Sequence, residues 1–165
     1  MKTTVLIVAA SALAFAAGRA SAPNTINDAP RATGIGGIFF KSSDPVALRA
    51  WYLKHLGMPM NEYGALFEFR DNDSDGKGYL QWSPFAARTT YFGPSTKDFM
   101  INYRVQHIEA LVERMRKDGV SFTDSLEHYE YGAFIHAMDP DGNKLELWEP
   151  IDTVFTRLYE GTTVK

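Results

Sequence analysis

The twelve residues DPDGNKLELWEP, Asp139–Pro150, decide the fold. Asp139 to Asn143 is a turn sequence. Pro140 presets φ, Gly142 and Asn143 tolerate the left-handed region, and an Asp side chain can bond its own backbone two residues on. KLELWE then alternates as a half-buried strand does. One carboxylate, Glu146, sits in that strand between Leu145 and Leu147. Its role is the question the sequence raises.

Working outward, the same pattern occurs upstream. Asp75-Gly76 recurs as Asp141-Gly142, and Trp82-x-Pro84 as Trp148-x-Pro150. Tyr63-Gly64-Ala65 recurs as Tyr131-Gly132-Ala133. Phe40-Lys41 matches Tyr103-Arg104, and Leu48 matches Leu111. A repeat on this scale means one supersecondary unit built twice and packed against itself.

Each copy starts with a strand, GIGGIFFKSS or FMINYRV. A helix follows. Asp44-Pro45 supplies an N-cap and a proline at N1, and Gly57 ends the first helix. In the second, Ile108, Leu111, Val112 and Met115 mark one face, and Gly119 ends it. MPMNEYGALFEFRD is read as two short strands and YLQWS as a third. The predicted order is βαβββ twice, an α+β domain of two repeated modules (34–84 and 98–150); in the family this pattern resembles, such modules form one mixed sheet curled into a cup with helices outside.

At 45% hydrophobic and 13% aromatic, 165 residues suffice for one domain with a sizeable core. The formal charge of −3 offers no basic stripe, so no nucleic-acid partner is expected. Cysteine is absent, which excludes disulfides, thiolate-held zinc or iron–sulfur centres, thiol catalysis and a lipoprotein anchor. Residues 1–22 have the order of a secretory signal peptide: Lys2, a mostly apolar run over 5–17, then Ala20-Ser21-Ala22. The run is shorter than the roughly 20 residues a spanning helix needs. The expectation is cleavage after Ala22, a periplasmic or secreted protein, and no membrane partner afterwards. Residues 23–33 read as a linker. In the tail, 151–165, Ile151, Val154, Phe155 and Leu158 have helical spacing and could dock on the cup or on a second subunit, so a homodimer is one expectation.

The paired module ending in DPDGNKLELWE resembles the vicinal oxygen chelate superfamily of glyoxalases, bleomycin-resistance proteins and extradiol dioxygenases. The resemblance covers about Gly34 to Pro150. It implies a cup that, in the metalloenzymes, holds a divalent ion on the first and last strands of each module. Carried over by the family's spacing, those positions are Gly37, Leu80, Met100 and Glu146. Glycine and leucine offer no donor, and a thioether is soft for an oxygen and nitrogen site. The expectation is therefore no cofactor, with Glu146 orienting a ligand instead.

Strand parity puts Phe39, Trp82, Met100, Asn102, Arg104, Phe134 and Trp148 on the cup face as ligand-binding groups, with Glu68. His136 and Glu146 are the catalytic candidates. Trp82 and Trp148 are expected to stack on a flat ligand. His55, His107 and His128 read as surface or capping residues. The leading function is a metal-free binder of a small apolar or aromatic molecule. The alternatives are a lyase, isomerase or dioxygenase with an altered metal site, such as Glu146, His136 and Glu68, and a non-catalytic interaction module.

Overall fold

The Asp139 turn folds as its residues require. Asp139 Oδ1 accepts from the backbone N–H of Asp141 at 3.0 Å and of Asn143 at 2.8 Å. Gly142 takes φ +77°. In the computed structural model, which describes residues 28–70, 76–159 and 161–164, this turn joins the last two strands of the sheet.

The elements are β1 (Arg31–Ser42), α1 (Pro45–Leu56), β2 (Ala65–Arg70), β3 (Lys77–Ala86), β4 (Phe99–Gln106), α2 (Ile108–Lys117), β5 (Glu127–Tyr129), β6 (Gly132–Met138), β7 (Lys144–Pro150) and α3 (Asp152–Tyr159). One mixed sheet runs β2-β3-β1-β4-β7-β6-β5. The modules meet where β1 pairs antiparallel with β4, Phe39 opposite Met100. Within each module the first strand pairs parallel with the last: Gly37 with Gln81, and Asn102 with Glu146.

The helices behave as read. Asp44 Oδ1 caps Ala47 N–H at 2.9 Å, and Gly57, at φ +66°, returns its N–H to Leu53. Helix α2 buries Ile108, Leu111 and Val112 against Val105, Ala133, Ile135 and Leu147. Burying side chains of this size contributes about 1.5–3 kcal/mol each. The α2 N-terminus receives its acceptor from the decisive motif itself. Glu149 accepts from the N–H groups of His107 and Ile108 at 2.6 and 2.9 Å.

Several expectations need correction. The first module has three strands, not four. Met58 to Gly64 is irregular, because Pro59 has no donor and Asn61 Oδ1 draws the N–H groups of Tyr63 and Gly64 into a turn. The free edge of β2 is met instead by the tail: Glu68 N–H donates to Val164 O, and Val164 N–H to Leu66 O. Residues 31–33 belong to β1 rather than to a linker, with Arg31 opposite Gln106. Residues 1–22 and 23–27 lie outside the described residues. Among the described residues no helix is long and apolar enough to cross a membrane.

Candidate functional site

The cup face holds a cavity of about 680 Å³. It is lined from both modules, from the loop after β3 and from α3. Tyr63 and Tyr131 both line it, one from each module, and they are repeat partners. The glycine after each explains the recurrence. Gly64 and Gly132 adopt φ +139° and +141°, and a Cβ there would press on the backbone carbonyls of Trp82 and Glu149.

His136 and Glu146 lie in register on neighbouring strands and form the polar floor. His136 Nδ1 is 2.5 Å from Asp124 Oδ2, and Nε2 is 2.9 Å from Glu146 Oε1. Tyr91 O–H donates to Glu146 Oε1 at 2.5 Å, and Asn102 Nδ2 donates to Oε2 at 2.5 Å. Burial opposes charging of the His136 ring, but its bonds to Glu146 and Asp124 outweigh that and hold its pKa above the ordinary value. Burial, then Glu146, pushes the Tyr91 hydroxyl up. Burial holds the Lys144 ammonium low, against the pull of Asp124 and Glu146. Lys144 donates to Tyr91 O at 2.7 Å.

This constellation fixes charge more readily than it moves protons. Two carboxylates face the two ring nitrogens, so a protonated His136 satisfies both. Glu146 already uses three of roughly four acceptor sites of a carboxylate. To take a proton from a substrate it would have to release Tyr91 or Asn102.

The other predicted site residues separate. Phe39 and Phe134 line the cavity. Met100 is fully buried against Phe39 and Phe92, beside the cavity rather than on it. Trp148 is 4% exposed and lies beneath the cavity, stacked on Phe134 and edge-on to Phe155. Arg104, expected to meet a ligand, instead pairs with Asp152 through two bonds, one of 3.0 Å, and donates to Tyr79 O. Glu68 is bound to Lys77 at 3.5 Å and to Thr163 at 3.2 Å, away from the cavity. Glu146, His136 and Glu68 are therefore not brought together.

Trp82 corrects the parity assignment of β3. Its ring packs on Tyr52 of α1 and on Phe40, centroids 4.6 and 5.1 Å away, on the outer face. Gln81, Ser83 and Phe85 face the cavity, which sends Leu80 outward with Trp82. The two Trp-x-Pro sequences look alike but present opposite faces. Sequence reasoning missed Tyr91, Asp124, Tyr129 and Tyr159, whereas the helical spacing of the tail marked Phe155 and Leu158, which line the cavity from α3. The recurring Tyr-Gly-Ala carried a signal for Tyr63 and Tyr131.

Residues 34–147 match the Glyoxalase/Bleomycin resistance protein/Dioxygenase superfamily. The chain belongs to that superfamily. No curated protein matches this member in sequence. Solved structures share its fold at low identity. Methylmalonyl-CoA epimerase of Streptomyces coelicolor, in complex with 2-nitronate-propionyl-CoA, is 16% identical with a TM-score of 0.53, covering 73% of this chain and 99% of that one. A methylmalonyl-CoA epimerase in complex with methylmalonyl-CoA and NH4+ is 15% identical with a TM-score of 0.52, covering 82% and 100%. An Mn(II)-bound glyoxalase from Novosphingobium aromaticivorans is 16% identical with a TM-score of 0.50, covering 73% and 40%.

The superfamily's metal can be tested against this member's own donors. Gln81, Gly37, Asn102 and Glu146 form one row across β3, β1, β4 and β7. It holds one carboxylate, two amides and no side chain at Gly37. The neighbouring Gly36 lets the sheet close: a Cβ there would lie 2.1 Å from Asn102 Oδ1 and 2.7 Å from Trp148. Glu146 is bonded on both oxygens by Tyr91, His136 and Asn102. This donor set does not fit a divalent ion.

Proposed function

We propose that this superfamily member binds a small, flat, apolar or aromatic molecule in its cup without a metal centre. The observation that carries the reading is the state of Glu146. A carboxylate bonded by Tyr91, Asn102 and His136, in a row with Gln81 and Gly37, is organised by protein donors where a metal would need it free. The cavity supports the same reading. Its volume of about 680 Å³ lies within the ~300–1,000 Å³ typical of small-molecule sites, and half of its eighteen lining residues are aromatic. Such a protein sequesters or carries its ligand. The N-terminal pattern supports export, so the ligand is met in the periplasm or outside the cell.

A second reading rests on Asp124–His136–Glu146. In it, a lyase or isomerase uses Glu146 as the base once substrate displaces Tyr91. The decisive experiment purifies the exported protein without added metal. It combines elemental analysis with equilibrium dialysis against a panel of small aromatic compounds. Saturable one-to-one binding by a metal-free protein is expected. A stoichiometric bound metal, or failure of every aromatic compound to bind, would overturn the reading.

A further inference from the structure

The cavity lining is uneven in charge. Asp124, Glu127, Glu130 and Glu146 are acidic, and none of the eighteen lining residues is lysine or arginine. The one basic group, His136, is spent between Asp124 and Glu146. Two buried cations, Arg104 and Lys144, are turned away. Arg104 is held by Asp152, and Lys144 donates to a backbone carbonyl beneath the Tyr91 ring. Among the described residues, neither Glu127 nor Glu130 takes part in an ion pair.

Glu127 and Glu130 share the cavity lining with aromatic faces. Tyr129 and Tyr131, from β5 and the turn after it, stack with centroids 5.3 Å apart at 8°. Tyr63 and Tyr159 line the same cavity from the other module and from α3. The negative potential is felt by the tyrosines themselves. Burial, then Glu146 and further acidic neighbours, pushes the Tyr131 hydroxyl up, and its bond to Glu127 does the same for Tyr129. Ring faces beside unneutralised carboxylates attract a cation by quadrupole and by charge at once. A coenzyme A thioester, which carries several phosphate charges, meets the opposite of what it needs.

We propose that the cup selects an organic cation, an aromatic or apolar skeleton carrying a protonated or quaternary amine. The apolar part lies against Phe39, Phe85 and Phe134, and the ammonium sits among Tyr129, Tyr131, Glu127 and Glu130. This rests on the small-molecule reading above and narrows its ligand class.

The test uses three probes with one skeleton: 2-naphthylmethyl-trimethylammonium, 2-naphthalenemethanol and 2-naphthoate. Affinities for the intact protein are measured by equilibrium dialysis at low and high salt. The expected result is a cation bound at least about tenfold more tightly than the alcohol, and a carboxylate bound more weakly than either. The preference should shrink as salt screens it. In a Glu127→Gln, Glu130→Gln double variant the cation-to-alcohol ratio should fall toward one. Equal affinity for cation and alcohol, or preference for naphthoate, overturns this inference and leaves the small-molecule reading standing. Failure of all three to bind counts against both.

Discussion

His136 Nε2 lies 2.9 Å from Glu146 Oε1, directly across one strand pairing, while Asp124 holds the other ring nitrogen at 2.5 Å. The ring binds its proton more tightly in the folded chain than an ordinary histidine does, despite its burial. Its contribution to stability should be complete below about pH 6.5 and lost as pH rises through the raised folded value. Chemical denaturation from pH 5.5 to 9 should show a loss of stability on the alkaline side. In His136→Gln that pH-dependent loss should vanish. A wild-type profile that is flat or rises over this interval would show that the folded chain does not hold the ring's proton more tightly than the unfolded chain does.

Metal addition should leave the fold's stability unchanged. An ion at 100 times its Kd would add about 2.7 kcal/mol. That would raise the melting temperature by several degrees in a domain of this size. Zn, Mn, Ni and Fe(II) are expected to give no such shift, and a chelator no loss. A rise abolished by Glu146→Gln would reveal a site built differently from the row described above.

Asp152 fastens α3 to the sheet through Arg104, whose side chain is 4% exposed. Removing the carboxylate leaves a buried guanidinium without its partner. Asp152→Ala should cost about 3 kcal/mol, the low end for breaking a buried pair. Urea melts measure it. A cost within experimental error would mean that water reaches Arg104 freely. Ligand affinity should fall as well, because Phe155 and Tyr159 line the cavity from the same helix.

Alanine at Gly64 or Gly132 should destabilise by more than the roughly 1–3 kcal/mol of backbone strain at φ near +140°, because its Cβ would also press on the carbonyl of Trp82 or Glu149. The two costs should be similar. Thermal melts that separate the two variants widely would break the equivalence of the modules at these turns.

The tryptophans report on different places. Trp82 packs outside on Tyr52, and Trp148 lies under Phe134 and Phe155. Trp82→Phe should leave ligand affinity unchanged while lowering stability. Ligand-induced change in fluorescence should survive in Trp82→Phe and disappear in Trp148→Phe. The reverse pattern would place the ligand on the α1 side of the sheet.

The sequence by itself determined the repeat, the helix caps and the turn that ends in Glu146. All of these depend on residues close together in the chain. Asp44, Gly57, Gly64, Gly132 and the Asp139 turn act through local sterics and short hydrogen bonds, which neighbouring letters record. Only tertiary structure decided which face β3 presents. Side chains alternate, so a one-residue difference in register sends Trp82 outward and Gln81 inward. Likewise, the sequence could place Glu146 in a strand but not name its partners. Tyr91 comes from a loop, Asp124 precedes β5, and Asn102 is on the strand beside it. Tyr159 and Phe155 reach the cup because Arg104 binds Asp152 there. Hydrogen bonds and ion pairs between residues so far apart in the chain exist only once the sheet has closed, and no short stretch of sequence carries them.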